Sequence, residues 1–169
     1  TDLVQTHLNL LLEDGKVAAV TEEEPEADRV IDAAGKVVAP GFIDIHMHED
    51  PVKDDKIQFC IFDAMLRMGV TTAVGGNCGI NVYDPVKYMD LLERDGAPVN
   101  VMMFAGHQYY REAAGALDKY SPVTEEQQKA MKKGLEEALA AGCVGISYGL
   151  RYVPGTGREE FLDTASCCQ

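Results

Sequence analysis

At 169 residues, with 46% hydrophobic and 25% charged positions, the chain is long enough to bury one ordinary core. Its formal net charge of −13 argues against nucleic acid and against anionic membrane surfaces, since both are held by clustered Lys and Arg. No apolar run reaches the roughly 18 residues of a membrane span, and five cysteines without scaffold spacing point to free thiols and the cytoplasm.

The first forty residues read as short β elements. Residues 8–12 are an apolar run, Glu13-Asp14-Gly15-Lys16 a hairpin-type turn, and residues 17–20 a second strand. Residues 29–32 and 36–39 are expected to flank another turn at Ala33-Ala34-Gly35. Between them, Glu22-Glu23-Glu24-Pro25-Glu26 reads as a solvated loop. Such a small antiparallel region over residues 1–40 buries little surface alone.

After Pro40 strands alternate with helices. The spacing predicts a strand over 42–46, a helix over 57–68 stopped by Gly69, and a β-branched strand over 70–74. That strand ends in Gly75-Gly76-Asn77-Cys78-Gly79. A helix over 84–94 and a strand over 99–104 follow, the latter ending in Ala105-Gly106-His107. Thr124 with Gln127 forms a capping box for a helix over 124–141, with Gly142 behind it, and residues 144–147 make a fourth strand. Nearly continuous apolar strands joined by helices predict an α/β fold with a parallel sheet. A closed (β/α)8 TIM barrel needs eight units and about 250 residues. The expectation is therefore a partial barrel of about four β/α units, preceded by the small antiparallel region.

The residues with chemistry gather at predicted strand ends, where such folds keep their sites. His46 and His48 stand two apart, so extended backbone sends both to one face. They are either structural histidines or half of a metal site, and the Pro-Gly turn and apolar run before them favour ligands. Cys78, among glycines, is either a small buried hydrophobe or a thiolate ligand facing the same opening. His107 and Tyr148, together with Tyr152, could line a substrate site. Cys60 and Cys143 read as packing residues, and Met65, Met68, Met102, Met103 and Met131 as core. Dinucleotide, P-loop and G-x-S-x-G signatures are missing.

Pro40-Gly41-Phe42-Ile43-Asp44-Ile45-His46-Met47-His48 resembles the first-strand signature of the amidohydrolase superfamily. Gly69-Val70-Thr71-Thr72 through Gly76-Asn77-Cys78-Gly79-Ile80 resembles the second-strand motif of its N-acyl-D-amino-acid deacylases, the D-aminoacylases. Ala105-Gly106-His107 is similar to their third strand end. Gly142-Cys143-Val144-Gly145-Ile146-Ser147-Tyr148-Gly149-Leu150, with Tyr152 and Pro154-Gly155, is similar to their fourth. The likeness runs from about residue 8 to about residue 163, and the first two motifs together carry its specificity.

This resemblance implies a zinc hydrolase that splits an N-acyl-D-amino acid into a D-amino acid and a carboxylate. Residues 41–169 would be the first half of its barrel, and residues 1–40 part of a β-sandwich-like domain. His46 and His48 would contribute to a weakly filled metal position. Cys78 would bind the tightly held Zn(2+), replacing the carbamylated lysine that many amidohydrolases carry on the fourth strand, where this chain has Ser147. The metal would polarise the amide carbonyl and acidify water, and a carboxylate would pass the proton to the leaving amine. Two further histidine ligands and the acid/base aspartate would lie beyond residue 169, so no turnover is expected from these residues alone. Gln108-Tyr109-Tyr110-Arg111 departs from the family pattern after Gly-His, a small residue and then Leu-Arg. Two other readings are a dihydroorotase-like or dipeptidase-like amidohydrolase, and a non-catalytic half-barrel. Cys78 and the missing fourth-strand lysine oppose the former. In the latter, open first and fourth strands would invite self-association.

Overall fold

The computed structural model describes residues 8–118 and 121–149 and divides into two units, Thr1–Ala39 and Pro40–Gln169. In the first unit β1 (Asn9–Glu13) and β2 (Lys16–Thr21) pair antiparallel, with a register shift between Leu11 and Leu12. Asp14 and Gly15 turn the chain with φ of 49° and 72°, the handedness that matches strand twist.

The strands expected at 29–32 and 36–39 are not formed. Their turn is present: the Lys36 N–H donates to the Ala33 carbonyl at 2.9 Å, and the Ala34 N–H to Asp32 Oδ1 at 2.8 Å. An alternating pattern becomes a strand only where a neighbour takes up its N–H and C=O groups. Neither flank has such a neighbour among the described residues, and Val30, Ile31 and Val37 stay exposed.

In the second unit β3 (Phe42–Asp44) is followed by a short hairpin, β4 (Val52–Lys53) and β5 (Lys56–Ile57). Then come α1 (Ile61–Arg67), β6 (Val70–Gly75), α2 (Pro85–Asp95) and β7 (Asn100–Gly106). The chain continues through α3 (His107–Ala113), α4 (Glu125–Ala140) and β8 (Gly145–Ser147). One sheet runs β3-β6-β7-β8 with every pairing parallel, as the strand-helix alternation predicts.

Packing explains why the sheet holds. Phe62 and Met65 of α1, Tyr88 and Leu91 of α2, and Met131, Leu135 and Ala138 of α4 form one buried cluster with Ala73, Met103 and Ala105 of the sheet. Full burial of a Phe, Leu or Met side chain stabilises by about 2 kcal/mol, so this layer fixes the strands whose C-terminal ends carry the site. Local signals set the helix starts. Thr124 and Gln127 make the expected reciprocal cap of α4, and Asp84 caps α2 by accepting from the Val86 and Lys87 amides at 3.0 and 3.1 Å. Among the described residues, no helix is long and apolar enough to cross a membrane.

Three expectations need correction. The helix predicted from 57 starts only at Ile61, because residues 52–57 fold into the hairpin, turning on Asp54 and Asp55 with φ of 51° and 56°. Cys60 is consequently not a packing residue but an exposed helix cap position, its thiol donating to Asp50 Oδ1 at 2.9 Å. Met68 and Met102 are exposed, whereas Met65, Met103 and Met131 are buried as expected. Cys143 is buried in the core.

Candidate metal centre

Strand β3 ends at Asp44, so the two histidines occupy its exit rather than the strand itself. Asp44 Oδ1 accepts from the His46 N–H at 3.0 Å, and the Met47 N–H donates to the Val74 carbonyl at 3.2 Å. These bonds keep the exit extended beside β6. Met47 is buried while His46 and His48 are exposed, the alternation that extended backbone imposes. Their rings stand edge to face with centroids 6.2 Å apart.

Cys78 arrives from β6 through the 3₁₀ turn Asn77–Gly79. Gly76, Cys78 and Gly79 have φ of 72°, 61° and 78°, so three of four consecutive residues are left-handed. For a cysteine that conformation costs about 1 kcal/mol or more and persists only where the surroundings enforce it. Gly76 cannot be anything larger, because a Cβ there would lie 2.1 Å from the Phe104 carbonyl oxygen. Asn77 ties the turn to both strand exits, donating to the carbonyls of Val74 at 2.7 Å and Met47 at 3.3 Å.

As a result Cys78 Sγ lies 3.2 Å from His46 Nε2, and the donor atoms of His46, His48 and Cys78 all fall within 4.8 Å of one another. Zinc with Zn–S of about 2.3 Å and Zn–N of about 2.1 Å holds its ligand atoms roughly 3.5 Å apart. The donors, with His46 and Cys78 at 3.2 Å and none more than 4.8 Å apart, stand near that spacing. Two imidazoles and a thiolate suit zinc and other borderline or soft metals, and fit magnesium or calcium poorly. The residues present fit the ion.

Two buried carboxylates, Glu49 and Asp50, follow the histidines in the chain. Glu49 is buried, with Oε1 accepting from Asn81 Nδ2 at 2.9 Å. Burial pushes its carboxyl above the usual range, against hydrogen bonds from its own backbone and Asn81 and the nearby His48, which lower it. Asn81 goes on to the end of β7, donating to the Phe104 carbonyl at 3.1 Å and accepting from the Gly106 N–H at 2.7 Å. Asp50 is fully buried, and its two oxygens accept from the Cys60, Ile61 and Phe62 amides at 3.1, 2.7 and 3.0 Å. Burial raises its carboxyl, but these bonds and that from the Cys60 thiol outweigh it and hold the group below its ordinary range. Consecutive acids after a strand normally signal solvent; no local pattern distinguishes this pair.

His107 is not a strand-end residue but the first of α3, and it is buried. Its ring centroid lies 5.3 Å from that of half-buried Tyr148 at the exit of β8. Neither belongs to the three-donor cluster, and Tyr152 lies outside the described residues. Residues 108–111, noted for departing from the expected pattern, are helical. There the guanidinium of buried Arg111 donates to the Ala116, Asp118 and Ser121 carbonyls, organising the turn after α3.

Residues 29–148 match the family model described as the amidohydrolase family. The chain is similar to the N-acyl-D-glutamate deacylase of Alcaligenes xylosoxydans xylosoxydans, 33% identical over 168 residues that cover 86% of this chain and 34% of the relative. It is likewise similar to the D-aminoacylase of that organism, 34% identical over 163 residues that cover 82% and 33%. In structure it is similar to the N-acyl-D-glutamate deacylase of Bordetella bronchiseptica complexed with zinc and a phosphonate inhibitor. The TM-score is 0.77 at 32% identity, over 95% of this chain and 38% of that one. The chain therefore spans about a third of the length of the curated relatives it matches.

Proposed function

Since the chain belongs to the amidohydrolase family and its four parallel strands are part of a (β/α)8 barrel, we propose that His46, His48 and Cys78 hold zinc for hydrolysis of an N-acyl-D-amino acid. The observation that carries this reading is the approach of Cys78 Sγ to His46 Nε2 at 3.2 Å, made by two different strand exits. A zinc ion there supplies a Lewis acid for an amide carbonyl and for water.

Residues 41–169 contribute the first half of the barrel, and residues 1–40 part of a β domain. The remaining ligands and the acid/base carboxylate belong to the rest of the barrel. His107 and Tyr148 line the substrate side, the partner being a small N-acylated D-amino acid rather than nucleic acid or membrane. Among the described residues β3 and β8 are the edge strands, and exposed Phe42 and Ile43 on β3, with Val144 just before β8, support pairing with further strands of the barrel or with a second copy. Free thiols at Cys60 and Cys143 support a reducing, cytoplasmic setting. The fourth strand carries Ser147 where a dihydroorotase-like reading would want lysine, so this position does not support that alternative.

Elemental analysis after dialysis tests the reading. Zinc is expected to remain with the wild-type chain and to fall in Cys78→Ser and in the double change His46→Ala, His48→Ala. Undiminished zinc in both variants overturns it.

A further inference from the structure

We propose that Ser147 is a positioning residue for the Cys78 thiol, an inference that rests on the metal reading above. Its hydroxyl sits at the tip of β8 and bonds to both sides of Cys78 at once. It donates to the Gly76 carbonyl and accepts from the Gly79 N–H at 3.0 Å. A serine hydroxyl has one proton to give and lone pairs to receive, and here both functions are spent on one turn. No other described strand exit reaches Gly76 and Gly79 together in this way.

The turn needs such a clamp. Left-handed backbone at Cys78 is unfavourable on its own, and the flanking left-handed glycines would relax in many directions. Fixing the carbonyl two residues before Cys78 and the amide one residue after it leaves the intervening segment little freedom. Close packing adds to this: a Cβ at Gly79 would lie 3.0 Å from the Gly149 nitrogen, so the turn rests directly on the β8 exit. Ser147 is paired in register with Gly106, whose own Cβ would meet the Gly79 backbone at 2.7 Å. The fourth strand thus acts on the metal site through the second, without supplying a ligand of its own.

Cobalt(II) replaces zinc as a visible probe, because a cobalt–thiolate bond adds a charge-transfer absorption that imidazole ligands do not. Ser147→Ala should keep its circular dichroism, bind cobalt at least tenfold more weakly and lose most of that absorption. Ser147→Thr, which retains the hydroxyl, should restore both. An Ala variant with wild-type affinity and absorption overturns the positioning role alone. A wild-type chain that takes up cobalt without the thiolate band overturns the metal reading and this inference together. A measurement on the wild-type chain stands apart from variant folding: the Gly79 amide should be protected from hydrogen exchange, and exchange at the rate of an open loop overturns the clamp.

Discussion

Asp50 caps a helix that begins eleven residues further along the chain, accepting the Ile61 amide on Oδ1 at 2.7 Å. The carboxylate is fully buried and accepts from three backbone amides and a thiol, while the Asp50 backbone carbonyl accepts from the Tyr88 hydroxyl at 3.0 Å. Two residues after His48, the chain is thereby anchored to α1 and α2.

Asp50→Ala removes every acceptor of that cap and should destabilise the chain by about 3 kcal/mol. Asp50→Asn keeps one oxygen but turns an amide donor toward backbone N–H groups, so it should recover only part of the loss. Urea unfolding of the three chains checks the order, and an Ala variant within error of wild type contradicts the cap.

Gly76 and Gly115 both take a positive φ, 72° and 79°, but only Gly76 is crowded. Gly115→Ala, with open space around it, should cost about 1 kcal/mol for the backbone conformation alone. Gly76→Ala should cost about 3 kcal/mol or more, because the obstructing Phe104 carbonyl oxygen is backbone and cannot swing away. Equal losses in thermal unfolding would contradict the close approach of the turn to β7.

Asn81→Leu leaves Glu49 Oε1, the Phe104 carbonyl and the Gly106 amide without their side-chain partner. Each such buried group costs about 1–3 kcal/mol, so the variant should lose about 3 kcal/mol or more in chemical denaturation. Retained stability would mean that water replaces the amide without penalty.

Burial, helped by the charge of Asp84, pushes the Cys143 thiol from 9.0 up to about 11. The folded chain thus favours the protonated thiol more than the unfolded chain does. That contribution is complete below pH 9 and is lost as pH rises through 11. Two pH units correspond to about 2–3 kcal/mol. The stability advantage of wild type over Cys143→Ala should shrink by that order between pH 8 and pH 11. An unchanged difference contradicts the buried thiol.

Much of the second unit was legible because its signals are local. Thr124 with Gln127, Asp84 before Pro85, and the apolar strands joined by helices each carry their structure within a few residues. The convergence of His46 and Cys78 followed from the same logic, since parallel neighbours deliver their exits to one edge. What stayed hidden depends on partners distant in sequence. The burial of Glu49 and Asp50 has no local signal and depends on Asn81 and the start of α1 folding against them. Residues 29–32 and 36–39 failed in the opposite sense: their alternation suits a strand, but no ladder partner is present among the described residues.

Zinc-edge X-ray absorption on the metal-loaded chain tests the central claim most directly. The account predicts one sulfur neighbour at about 2.3 Å together with imidazole nitrogens at about 2.0–2.1 Å, and loss of the sulfur shell in Cys78→Ser. A shell of oxygen and nitrogen only in the wild-type chain would contradict it.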